Sequence, residues 1–194
     1  MRKIELMALY FLILGSTTFA LDMVIGGGGL FGYTFEQYEI YDEDEYLYRN
    51  DNNAMIFGGF AFFGLSRYME ASIAVYRGIN DAIYKYPDGT EEPYEYPGYQ
   101  VGISLYFKYP ITLGSRLVLF PTVGMDVQNN NGGLDLWFRG GLGMDIFFTE
   151  KLFLRGQGFY GYDFLMIYKG DLNESQKALP THGPLFKLGL GWMY

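Results

Sequence analysis

From residue 21 onward the sequence alternates apolar and polar residues with a period of two. Successive side chains of a strand point to opposite faces, so this period prescribes extended chain with one apolar and one polar face. Residues 99–109 are a clear instance: Tyr99, Val101, Ile103, Leu105, Phe107 and Tyr109 alternate with Gln100, Gly102, Ser104, Tyr106 and Lys108. The same period runs through 21–35, where Val24 and Leu30 interrupt it, and through 119–128, 134–148 and 152–164. Weaker runs at 54–63 and 68–77 and a last run at 185–194 bring the candidate strands to eight. Short connections at 64–67, 110–116 and 149–151 alternate with 37–53, 78–97, 129–133 and 166–183, most of them longer. Turns at one end and loops at the other are the layout of an up-and-down barrel. The predicted fold is all-β, an eight-stranded antiparallel barrel over residues 21–194.

Two solvents are open to such a barrel. In a soluble lipocalin-like carrier the apolar face lines the interior and the polar face meets water. In a transmembrane barrel the faces are exchanged. One face here carries Phe, Leu, Ile, Met and Tyr almost without charge, whereas the other mixes Gly, Ser and Thr with single charges and a few aromatics. The outside of an eight-stranded barrel is much larger than its inside, and mixed-size residues fill a narrow lumen. The membrane form is therefore expected. The strands are mostly about 10 residues or longer, enough to cross a bilayer when tilted. No apolar run after residue 20 is long enough for a membrane helix, which leaves a closed barrel as the spanning form.

Residues 1–20 read as a cleavable signal peptide. Arg2 and Lys3 form a basic start, LMALYFLIL a short apolar core, and Thr18 and Ala20 the small residues of a cleavage site. The chain has no cysteine, which excludes disulfides, thiol chemistry and a lipoprotein anchor. The net charge of −8 argues against nucleic acid as a partner, since phosphate contacts need clustered Lys and Arg.

The chain ends on Lys187-Leu188-Gly189-Leu190-Gly191-Trp192-Met193-Tyr194. Lys187, Gly189, Trp192 and Tyr194 resemble the terminal β-signal of bacterial outer-membrane barrels, although Tyr stands last where Phe is commoner. Together with the leader and the eight strands, the chain resembles the small outer-membrane barrels of the OmpA transmembrane domain, OmpX and OmpW kind. That resemblance implies location in the outer membrane, contact with its lipid, and delivery by the barrel-assembly machinery. A monomer is the expected state.

Motifs for chemistry are weak. Gly27-Gly28-Gly29-Leu30-Phe31-Gly32 fits the dinucleotide pattern G-x-G-x-x-G, but an acidic segment follows it instead of a helix. His182, the only histidine, is expected in a solvated loop. The His-x-Ser pattern of outer-membrane deacylases is broken there by Gly183-Pro184. No metal-ligand cluster or D-x-D-x-D-G loop occurs. No enzyme activity, cofactor or metal is expected.

Two features remain as candidate sites. Glu70, Lys108, Asp126, Asp135, Arg139, Asp145, Arg155, Asp163 and Lys187 fall on the polar face. Glu70, Asp126, Arg139, Asp145, Arg155 and Asp163 are the expected lumen charge network. If 149–151 is a three-residue turn, Phe148 pairs with Leu152, and Asp145 then lies opposite Arg155. Buried charges must be paired, so a salt-bridge plug is expected; a gate or proton-linked pore is the other reading. The second feature is acidic. Segments 37–53 and 78–97 hold 11 acids and 2 bases, interleaved with tyrosines. Tyr41, Asp42, Glu43, Asp44, Glu45, Tyr46, Tyr48, Glu91, Glu92 and Tyr94 are candidates for recognising an extracellular protein, since Tyr gives contact area at low entropic cost. The alternative is a solvated, charged loop. The expected function is structural or recognitional in the envelope; an OmpW-like conduit for small hydrophobic molecules and a soluble carrier are the rivals.

Overall fold

The computed structural model describes residues 23–42, 45–94, 98–130, 133–168, 176–178 and 181–194. The proposed leader, 1–20, lies outside them. Eight long strands form the wall: β1 (Val24–Asp42), β2 (Glu45–Ser66), β3 (Met69–Lys85), β4 (Tyr99–Lys108), β5 (Leu117–Asn130), β6 (Gly133–Phe147), β7 (Leu152–Tyr168) and β8 (His182–Met193). Each pairs antiparallel with its sequence neighbours. The last strand, β8, returns to β1, from Val24 opposite Met193 to Phe35 opposite His182. Closure leaves no unpaired edge in the wall, the condition for an all-β chain to enter hydrocarbon.

The period of two sorts the side chains. Ile103, Leu142 and Leu188 are 62%, 71% and 60% exposed on the outside, while Phe62, Phe120, Phe153 and Tyr106 are buried within the lumen. The run 54–63 resolves in the same way: Ala54, Ile56, Phe60 and Phe62 point in, and Met55, Phe57 and Phe63 point out. Leu30, which interrupts the alternation of β1, is a lumen residue packed with Ile56 and Leu185.

Aromatic residues bound the apolar wall. On the turn side are Tyr68, Tyr109, Phe148, Trp192 and Tyr194, all exposed; on the loop side are Phe35, Tyr160 and Tyr162. His182 and Trp192 mark the two limits on β8. Ten residues of strand span about 33 Å, or about 25 Å of height at a tilt of ~40°, the height of an outer-membrane apolar band. Leu188 lies near the middle of this band. Leu188→Arg is therefore expected to lower stability in lipid vesicles by about 2–4 kcal/mol, read from the urea midpoint. An unchanged midpoint would mean that this face does not meet hydrocarbon.

The strands differ from the expected segments at the loop end. Segments 37–53 and 78–97 are largely strand. From Glu36 opposite Asn52 to Asp42 opposite Glu45, β1 and β2 stay paired, and β2 stays paired with β3 out to Arg49 opposite Lys85. A short strand, Glu91–Tyr94, adds to β3, and Gln176–Ala178 adds to β1. Beyond the membrane both faces of a sheet meet water, so pairing persists there without an apolar period to announce it. His182 is corrected too: it opens β8, opposite Phe35 and Tyr162, rather than sitting in a loop. On the turn side, Ile111–Leu113 within the expected 110–116 connection folds back onto β5.

Candidate functional site

The lumen is built in layers. Nearest the turns, Arg155 on β7 faces Asp145 on β6 in register. The register follows from the 149–151 turn, where the Thr149 hydroxyl accepts hydrogen bonds from the Lys151 and Leu152 amides at 3.2 and 2.9 Å. Arg155 donates from Nε to Asp145 Oδ1 at 2.7 Å and from Nη2 to Asp145 Oδ2 at 2.6 Å. Its Nη1 donates across the lumen to Glu70 Oε2 on β3. The same Glu70 oxygen accepts from Lys108 Nζ on β4 at 2.9 Å, and Glu70 Oε1 accepts from Gln157 at 3.4 Å. The guanidinium lies 4.4 Å from the Phe62 ring centre, 5.0 Å from Phe153 and 5.2 Å from Phe120. Bidentate pairing and ring faces together replace the hydration that the buried cation gives up.

The next layer is Lys187. Its Nζ donates to Ser72 Oγ at 3.2 Å and stands 5.0–5.5 Å from the ring centres of Tyr106, Phe60 and Phe159. Above it, Arg139 donates from Nε to Asp126 Oδ2 at 2.5 Å, and the Tyr106 hydroxyl donates to Asp126 Oδ1. Arg139 stacks over Trp137 at 4.3 Å. Asp163 is buried at the loop end of the same face, opposite Trp137.

The structure thus brings Glu70, Asp145 and Arg155 together, and Asp126 with Arg139, as two clusters rather than one. Lys108 belongs to the first cluster although it was not among the six residues expected to form the network. The aromatic component was also missed as a partner of the cations. Its sequence signal is the set of large rings at lumen positions: Phe60, Phe62, Tyr106, Phe120, Phe153 and Phe159. Glycine makes room for them. A Cβ at Gly143 would overlap the Phe120 ring, and one at Gly28 would overlap the Leu188 carbonyl across the β1–β8 seam.

The lumen is not an open pipe among the described residues. A cavity of about 180 Å³ opens on the turn side, and another of about 20 Å³ lies beside Arg139 and Lys187. They share no lining residue. The smaller holds about one water.

The other candidates lie at the ends. The backbones of Tyr41, Asp42, Glu45, Tyr46, Tyr48 and Tyr94 belong to the raised sheet; Glu43 and Asp44 lie outside the described residues. Glu91 and Glu92 are exposed, and Tyr86 donates to Glu92 at 3.3 Å. The Thr90 hydroxyl and amide donate to Asp88 in the turn between them, holding that carboxyl below its usual range. Of the terminal signal, Lys187 and Gly189 face inward, whereas Trp192 and Tyr194 lie on the outer face. Among the described residues no metal-binding group of His, Asp and Glu occurs.

A closed sheet with a hydrocarbon-compatible exterior and a charged, ring-packed interior defines a transmembrane β-barrel of the narrow, filled kind. Solved structures place it among eight-stranded bacterial outer-membrane barrels by fold. Neisserial surface protein A matches with a TM-score of 0.52 at 8% identity, over 89% of this chain and 97% of that one. The outer membrane protein OprG from Pseudomonas aeruginosa matches with a TM-score of 0.53 at 11% identity, over 89% and 95%. The outer membrane protease OmpT from Escherichia coli overlaps more loosely, with a TM-score of 0.46 at 11% identity over 93% and 100%, too loosely to bear on chemistry. No protein-family model matches the sequence, and neither does any curated protein.

Proposed function

We propose that this protein is a non-enzymatic resident of a bacterial outer membrane that holds a raised acidic sheet above the surface for recognition of a protein partner. The observation that carries the reading is the continuation of β1, β2 and β3 past the loop-side rim as one hydrogen-bonded sheet. From Arg77, opposite the start of β4, to Lys85 this sheet rises eight residues, about 26 Å of strand. The segments that contain it account for 11 acids against 2 bases. A basic protein surface is the complementary partner, met by long-range attraction and then by tyrosine contact. Residues 1–20 act as the export leader, and outer-membrane lipid and the assembly machinery are the remaining partners.

Replacing residues 40–48 by Asn-Gly joins β1 to β2 where they already pair, at Glu39 opposite Arg49. Cells displaying the shortened chain should lose salt-sensitive binding of a basic probe protein while the barrel keeps its heat-dependent gel shift. Undiminished binding would sink the proposal. The rival conduit for small hydrophobic molecules requires a path through the lumen, and the two charge clusters with the Lys187 layer between them argue against one. Reproducible single-channel conductance or hydrophobe uptake in reconstituted bilayers would favour the conduit. The soluble carrier is opposed by the apolar exterior.

A further inference from the structure

The turn-side cavity lies at the opposite end of the barrel from the raised sheet and plays no part in the function proposed above. Val24, Val118, Phe120, Phe147, Phe153 and Met193 supply most of its apolar wall, with the hydroxyls of Ser66 and Thr112 beside them. Its charged groups are Arg67, Lys108, Arg155 and Asp145, three cations and one anion. From this lining we infer a binding site for a small aromatic carboxylate that enters from the turn side.

Size sets the first limit. A dry cavity of about 150 Å³ accommodates benzene, and this one measures about 180 Å³. The rings of Phe147 and Phe153 stand 5.1 Å apart, tilted by 40°. With Phe120 they offer the offset and edge contacts that a flat ring prefers.

Charge sets the sign. Both Asp145 oxygens accept from Arg155, so that carboxylate is already paired. Glu70 sits behind the lining, 2% exposed, and is shared by Arg155 and Lys108. Among the described residues Lys108 gives one hydrogen bond, to Glu70, and an ammonium has three donors. Arg67 is exposed at the mouth, 5.9 Å from the Tyr68 ring centre, and belongs to no ion pair among the described residues. An amine in the cavity would face Lys108 and Arg67. A hydrocarbon would leave the remaining donors of the buried Lys108 unmet. A carboxylate accepts from Lys108, with the charge of Arg67 at the mouth attracting it, while its ring lies among the phenylalanines.

The test is a titration of the protein, purified from membranes into lipid nanodiscs, with benzoate, followed by methyl NMR. Saturable shifts are expected at Met193, Val24 and Val118. Benzylamine, of similar shape and opposite charge, should give none there. Lys108→Met should weaken benzoate about tenfold or more, and Arg67→Gln about threefold or more. Arg67 is a surface residue of a turn, so its variant stays informative if Lys108→Met disturbs Glu70. The inference is overturned by absent saturation, by an equal response to benzylamine, by unchanged affinity in both variants, or by shifts confined to the lipid-facing methyls of Ile73 and Leu188. The raised sheet is untouched by these variants, so failure here leaves the recognition proposal standing.

Discussion

Arg155→Met is expected to destabilise the barrel by about 3–5 kcal/mol, the cost of leaving buried charge without its partner. The guanidinium is the sole donor to Asp145 among the described side-chain hydrogen bonds and reaches Glu70 across the lumen. Its removal leaves Asp145 with no hydrogen-bond donor among the described side chains, in a cavity whose other cations are Lys108 and Arg67, and Glu70 with Lys108 and Gln157. Methionine keeps much of the side-chain length against Phe62, Phe120 and Phe153, so the loss reports charge more than volume. With urea slopes of about 1–3 kcal/mol per molar, the midpoint in a folded-band gel assay should fall by more than about 1 M. Adding Glu70→Gln, Asp145→Asn and Lys108→Met to the same chain should recover most of the difference, because Lys108 pairs with Glu70 and fully neutral replacement of a buried ion cluster is often tolerated. Wild-type resistance of Arg155→Met would show that the cluster contributes nothing to stability.

Gly28→Val should prevent closure altogether. The residue lies opposite Gly189 at the seam, and any Cβ there meets the Leu188 carbonyl and the Gly189 backbone rather than a side chain that could turn aside. Overpacking against flexible side chains costs about 1–3 kcal/mol; against backbone the seam must separate. The expected result is strand signal in circular dichroism without the heat-dependent band of a closed barrel. Gly59→Ala is the control. A Cβ there has its nearest neighbour, the Gly28 carbonyl oxygen, at an ordinary 3.6 Å, so closure should survive. A closed barrel in Gly28→Val would contradict this account of the seam.

Much of the wall was legible in the sequence because each strand faces two different solvents. A residue such as Ile103 or Ser104 then declares its side by polarity alone. The register of β6 and β7 was legible because a short turn fixes it, which places Asp145 opposite Arg155 without knowledge of the rest. The approach of Glu70 and Lys108 to Arg155 was not legible. It depends on which residues of β3 and β4 arrive at the same height after closure, and stagger around a barrel is set by the whole sheet. The raised sheet was hidden for a different reason: with water on both faces, acids and tyrosines there carry no period. His182 was misplaced because Gly183-Pro184 looks like a turn, yet a proline after a strand's opening residue can be accommodated near its end.

Glu70 and Arg155 are 85 residues apart in the chain, on β3 and β7. The β2–β3 hairpin carries a carboxylate whose arginine partner lies on the β6–β7 hairpin, half the barrel away. Glu70 already finds Lys108 on the neighbouring β4, and Arg155 finds Asp145 on the neighbouring β6, so the bond between Glu70 and Arg155 joins two locally neutral pairs and forms when the curved sheet comes round on itself. It acts as a crossbar that ties opposite walls of the closed barrel, an interaction that no flat or half-curved sheet can make.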